Sequence, residues 1–139
     1  VIGSITNYRV TYDPKERAKW CRINGISSAK KCARQNYMSD YARFDIIVDK
    51  VLRGPVAKRL TVTWDNSTFG EPEKMAPGPY VIALRRSGKA QPPLRGPSAT
   101  VFPTPQPNLF TVLQAPCAPP FILQRNSPEA IAVRRLLRK

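Results

Sequence analysis

Apolar and polar residues alternate along most of this chain, and period-two alternation marks strands with one face buried. In residues 4–13, Tyr8, Val10 and Tyr12 alternate with Arg9 and Thr11, and Asp13-Pro14 closes the run. Residues 42–53 place Phe44, Ile46 and Val48 on one face, with Ile47, Val51 and Leu52 on the other face or at a bulge; Gly54-Pro55 ends them. The clearest alternation is Leu60, Val62 and Trp64 against Thr61 and Thr63. Three more runs of strand length follow at 80–86, 109–114 and 121–124, the first introduced by Pro77-Gly78-Pro79.

Helical spacing occurs near the two ends. Asn24-Gly25 makes a turn, and Ser27 or Ser28 then caps a predicted helix over 29–42 with Ala29, Cys32, Ala33, Asn36, Tyr37 and Tyr41 along one stripe. Residues 15–20 are expected to form a short helical turn. Near the C-terminus, Ser127 stands as N-cap, Pro128 at the first helical position and Glu129 in the first turn. Val133, Leu136 and Leu137 supply the apolar face of that helix, and Arg134, Arg135, Arg138 and Lys139 lie at its negative end.

Between the strand runs, residues 87–107 hold proline at 92, 93, 97, 103, 105 and 107. Each proline lacks a ladder donor, so the segment is expected to be an extended surface loop with a short strand near 100–102. No repeat or domain-scale linker is visible. The pattern predicts a mainly β fold: a small barrel of five or six strands, with a helix before the first barrel strand and a C-terminal helix. Residues 1–27 are an N-terminal extension with a possible strand, and residues 28–139 form the barrel domain.

Composition narrows the chemistry. The 139 residues contain no histidine, which excludes a Ser-His-Asp or Cys-His nucleophile within the chain and histidine-based zinc catalysis. Asp45 and Asp49 lie four apart on a predicted strand, a separation above roughly 13 Å at ~3.3 Å per residue, too far for a carboxylate pair. Phosphate-cradling glycine loops and EF-hand spacing are absent. The expectation is a protein that is not an enzyme and carries neither metal nor cofactor. No apolar run reaches the ~20 residues that cross a bilayer as a helix.

The net charge is +14 and it is dispersed. Residues 1–40 carry eight basic and three acidic residues (+5), 41–125 eleven and five (+6), and 126–139 four and one (+3). Such a chain repels itself unless anions lie near, so its partners are expected to be a protein complex or another anionic surface. Arg53, Lys58, Arg59, Arg85, Arg86, Lys89 and Arg95 fall around adjacent predicted strand ends and are the candidate partner-binding residues. The alternative is nucleic acid, with Tyr8, Tyr12, Trp64 and Tyr80 stacking on bases and Arg43, Lys50, Arg53, Lys58, Arg59, Arg85 and Arg86 on phosphates, in an intracellular ribonucleoprotein.

Three cysteines stand at Cys21, Cys32 and Cys117, an odd count that leaves one thiol over. One disulfide is expected, joining the N-terminal segment to Cys117; the alternative is three buried, reduced thiols. The chain starts at Val1 without methionine, which is expected of a processed, exported protein or of a fragment.

The run YARFDIIVDKVLRGPVAKRLTVTWD, then APGPYVIALRRSGK, then LFTVLQAPCAPPF with a closing helix resembles the netrin-like (tissue-inhibitor-of-metalloproteinases-like) OB-fold domains, above all their bacterial exported type. The resemblance spans about residues 28–138 and implies an OB-like barrel, a late cysteine at Cys117 tied to an N-terminal one, and a periplasmic or secreted location. Inhibitory members carry an N-terminal Cys-x-Cys that chelates the target's metal. Val1 and Gly3 stand there instead, so that activity is not implied.

Overall fold

A computed structural model describes residues 1–12, 14–33, 40–65, 71–86, 106–114 and 118–137. Its strands are β1 (Ile2–Thr11), β2 (Tyr41–Lys50), β3 (Arg59–Asp65), β4 (Tyr80–Ile82), β5 (Leu84–Arg86), β6 (Phe110–Val112) and β7 (Ile122–Gln124). Its helices are α1 (Pro14–Ile23), α2 (Ala29–Ala33) and α3 (Pro128–Leu136). All seven strands belong to one sheet, in the order β5-β6-β3-β2-β1-β4-β7. The described pairs are antiparallel except β3 with β6, where Val62 meets Phe110 and Thr63 meets Thr111.

The class is therefore mainly β as expected, but the described residues hold seven strands rather than five or six. The extra strand arises at Ala83. The run 80–86 pairs first with β1 and β7 and then, past Ala83, with β6. Ala83 donates its N–H to Phe121 O at 3.1 Å and accepts from Leu113 N at 2.9 Å, so it sits where the run exchanges one partner for the other. Because β4 and β5 occupy opposite parts of the strand order and are separated by one residue, the sheet curls until its ends approach.

Residues 1–27, set apart from the sequence as an extension, contribute β1, an interior strand between β2 and β4. Two bulges bend the β1–β2 pair: the register shifts between Ile2 and Gly3, and again between Thr6 and Arg9. Bulges increase local twist and help a sheet curl. Asn7, in the second, has φ +54° and donates from Nδ2 to Asp45 Oδ2 at 2.8 Å. Asparagine tolerates this left-handed conformation better than most residues do. Gly3 permits close approach in the same ladder, since a Cβ there would clash with the carbonyl oxygen of Ile47 and lie 2.9 Å from Ile46 Cγ2.

The alternation selects two apolar clusters. Ile5, Ala42, Phe44, Ile46, Val62, Trp64, Tyr80, Ile82 and Val112 fill the concave side of the sheet. Val81 points the other way and packs with Ile2 and Ala130, so α3 covers the outer face of β4. The predicted caps of α3 are present: Ser127 Oγ accepts from Ala130 N at 3.2 Å and Pro128 opens the helix.

The predicted helix over 29–42 does not reach its expected end, because residues 41 and 42 are strand. Among the described residues of that span Ala29–Ala33 are helical; residues 34–39 lie outside the described residues, and Tyr41 and Ala42 belong to β2, where Ala42 is buried. Conversely, the short turn expected at 15–20 is the ten-residue α1. The two helices are joined by a Cys21–Cys32 disulfide, with Cα atoms 5.9 Å apart. An N-terminal cysteine therefore does not pair with Cys117, since each has the other as partner; Cys117 itself lies outside the described residues, as does the strand expected at 100–102. Closing a loop this short stabilises by about 3 kcal/mol in the chain-entropy account.

Candidate functional site

Beside α3, where β4 passes into β5, the surface opens into a cleft of ≈ 450 Å³. Its walls come from five places: Leu52, Gly54, Pro55 and Val56 of the β2–β3 connection; Val81–Leu84 of the β4–β5 run; Phe110 of β6; Phe121 before β7; and Val133 and Leu137 of α3. Val1 also reaches it. Among the described residues the lining side chains are apolar except for Arg53 and Arg86. Both arginines are exposed, and neither has an ion-pair partner among the described residues.

At Val1, Ile82 and Ala83 the backbone polar groups are used within the fold. Val1 N donates to Ile82 O at 2.8 Å, Ile82 N to Val1 O at 2.9 Å, and Ala83 is bonded on both sides as above. The side chains this end offers a ligand are apolar apart from two guanidinium groups.

Of the seven predicted partner-binding residues, the structure brings Arg53 and Arg86 together at the cleft. Lys58 is exposed at the end of the β2–β3 connection and does not line it. Arg85 is half-buried and outside the lining, as strand alternation from Leu84 and Arg86 requires. Lys89 and Arg95 lie outside the described residues. Arg59 is tied: its guanidinium pairs with Asp45 Oδ2 at 2.7 Å. Asp45 also accepts from Asn7 and, at Oδ1, from Thr61. Hydrogen bonds from Arg59, Thr61 and Asn7 hold its carboxyl well below the usual range. Asp45 is thus a structural knot linking β1, β2 and β3.

The candidate base-stacking residues separate. Trp64 and Tyr80 are buried in the core, and Trp64 Nε1 donates to Gln114 Oε1 at 3.0 Å. Tyr8 packs its ring 5.7 Å from that of Phe44 and donates its hydroxyl to Pro72 O at 2.6 Å. Tyr12 is exposed, with the Arg17 guanidinium 4.6 Å from its ring centre.

A second polar cluster gathers Tyr8, Glu71, Asp40 and Arg17. Burial, then the charge of Glu71, raises the Tyr8 hydroxyl pKa. Burial pushes Glu71 up to about 7, with the negative charge of Asp40 adding to the shift against a backbone hydrogen bond that opposes it. Its Oε2 is buried with no hydrogen-bond partner among the described residues. Because the folded value lies above the unfolded 4.5, the folded state holds the extra proton, and stability falls as pH rises through about 7. Glu71→Gln keeps the neutral form at every pH. We expect it to raise the urea midpoint relative to wild type at pH 8, with the gain vanishing by pH 4; parallel pH profiles for both proteins would refute the assignment.

Sequence reasoning missed Val56, Phe121, Val81 and Val1 as cleft residues. Val56 and Phe121 each follow a proline and stand outside any alternation, a weak signal that identifies no surface. Among the described residues no His/Cys/Asp/Glu cluster could hold a metal ion, and no helix is long and apolar enough to cross a membrane. No protein-family model, curated protein or solved structure matches the chain.

Proposed function

We propose that this chain is a non-catalytic, basic binding module of the exported, netrin-like type, which docks a protein or other anionic partner through the arginine-bearing end of an OB-like barrel. The observation that carries the reading is the pair Arg53 and Arg86 at the lip of an apolar cleft, each without an ion-pair partner among the described residues. Unpaired guanidinium groups beside a desolvating surface suit the recognition of carboxylates and phosphates.

Strand order supports the OB-like reading. Taking β4 and β5 as one bent strand, the pairing runs β1-β2-β3-β6-β5/β4 and returns to β1, with β3 and β6 parallel. Five strands then close the ring, as in an OB-type barrel, and β7 flanks β4 outside it. The Cys21–Cys32 bridge supports export, because structural disulfides persist in oxidising compartments. Burial of Trp64 and Tyr80 weighs against single-stranded nucleic acid as the partner, since stacking needs exposed ring faces.

Poly-L-glutamate serves as an acidic test partner. Reversing Arg53 and Arg86 to glutamate should weaken its binding by roughly tenfold more than reversing Lys30 and Lys31 on α2, an equal change in net charge. Equal losses from the two pairs would leave only diffuse charge and end the reading. Tighter binding of a single-stranded oligonucleotide, weakened by Tyr12→Ala, would transfer the function to nucleic acid.

A further inference from the structure

The cleft combines three properties that together specify a ligand class. Its floor is built from aliphatic and aromatic side chains of β4, β5, β6 and α3. Its volume, ≈ 450 Å³, lies within the ~300–1,000 Å³ of small-molecule sites. Its charged groups, Arg53 and Arg86, are both cationic, and among the described residues no acidic one lines it.

The geometry points to a single-chain amphiphilic anion, a free long-chain carboxylate, as the ligand of this cleft. This inference rests on the docking reading above and names what enters that end of the barrel. The alkyl chain lies along the apolar lining presented by Val56, Phe110, Phe121 and Leu137, and the carboxylate is held by the lip arginines. A peptide fits less well. Its amides would need partners, while Ile82 and Ala83 spend their backbone groups on Val1, Phe121 and Leu113. An alkyl chain needs no hydrogen bonds and gains by leaving water. A carboxylate accepts two parallel bonds from a guanidinium, which a neutral or cationic headgroup cannot do.

The test uses the purified full chain and calorimetric titration with octanoate, decanoate and dodecanoate below their aggregation thresholds. One equivalent should bind, and affinity should climb by up to about fourfold for each added methylene until the floor is covered. Dodecyltrimethylammonium should not bind. Arg53→Gln with Arg86→Gln should weaken dodecanoate by roughly tenfold while preserving the chain-length trend. Leu137→Glu, at an exposed position on the lip, should weaken it as well by repelling the carboxylate. Absence of saturable binding, equal affinity for the ammonium amphiphile, or unchanged affinity in the double variant would overturn the assignment. If dodecanoate fails while reversal of Arg53 and Arg86 still weakens poly-L-glutamate, the ligand class is wrong and the docking reading stands. If that reversal is also without selective effect, both fall.

Discussion

Asp40→Ala should cost about 3–5 kcal/mol of folding stability, among the largest single-site losses expected of this protein. Asp40 is 2% exposed and Arg17 9%, and they form an ion pair joining α1 to the residue just before β2. Arg17 also donates to Cys32 O at 3.4 Å and lies over the Tyr12 ring. Removing the carboxylate leaves a guanidinium in a site that water barely reaches, and neither a carbonyl nor a ring face replaces a full negative charge. The double change Arg17→Met with Asp40→Leu should recover much of the loss, because it removes both charges rather than one. Urea denaturation at pH 7 reads both effects. A single variant within 1 kcal/mol of wild type, on the order of a surface pair, would show that the pair contributes no more than an exposed one. The pair ties α1, and through the disulfide α2, to the start of β2, so the Asp40 variant should also increase hydrogen exchange in both helices.

How far the sequence revealed this fold can be judged strand by strand. β2 and β3 were legible because Phe44 and Ile46, and Val62 and Trp64, keep an unbroken period of two and are all buried. β1 was harder to place. Ile5 and Tyr8 both pack on the concave cluster although three residues apart, because the bulge around Asn7 inserts a residue and shifts the phase. Read without the bulge, the run looks like a short strand at the edge of an extension, whereas its ten residues lie at the interior of the sheet. The break at Ala83 is not a local property. It exists because Phe121 and Leu113, thirty and more residues later, compete for successive parts of one run. Cysteine pairing was misread for a related reason. An eleven-residue separation says nothing about distance until α1 and α2 turn back on each other.

The site was legible only as charge. Arg53 and Arg86 were identified by their positions at strand ends, but so was Arg59, which Asp45 holds in the sheet. Sequence shows where cations fall; it does not show which of them already have a partner. The apolar floor was invisible for a further reason. Val81, Phe121 and Val133 come from separate elements, and only the curl of the sheet and the docking of α3 bring them together.

The curl itself is open to a direct test. Phe44→Ala should lower stability by about 3–5 kcal/mol, the range for a fully buried aromatic side chain. Phe44 is 1% exposed, sits opposite Val62 in the β2–β3 ladder and touches the Tyr8 ring across the concave face. Truncation opens a cavity that β1, β2 and β3 cannot close without breaking the ladders that position Asp45 one residue away. Phe44→Leu keeps most of the volume and should cost much less. Phe44 does not itself line the cleft, although Val1, Ile82, Leu84 and Phe110, which do, pack in or against the same concave cluster. Below its unfolding transition, Phe44→Ala should still bind dodecanoate while unfolding at a much lower urea concentration, because the lining side chains themselves are unchanged. Joint loss of stability and affinity in the still-folded variant would mean that the concave core and the cleft are one cooperative unit, and that the cleft's shape is set from inside the sheet rather than by α3 packed on its outer face.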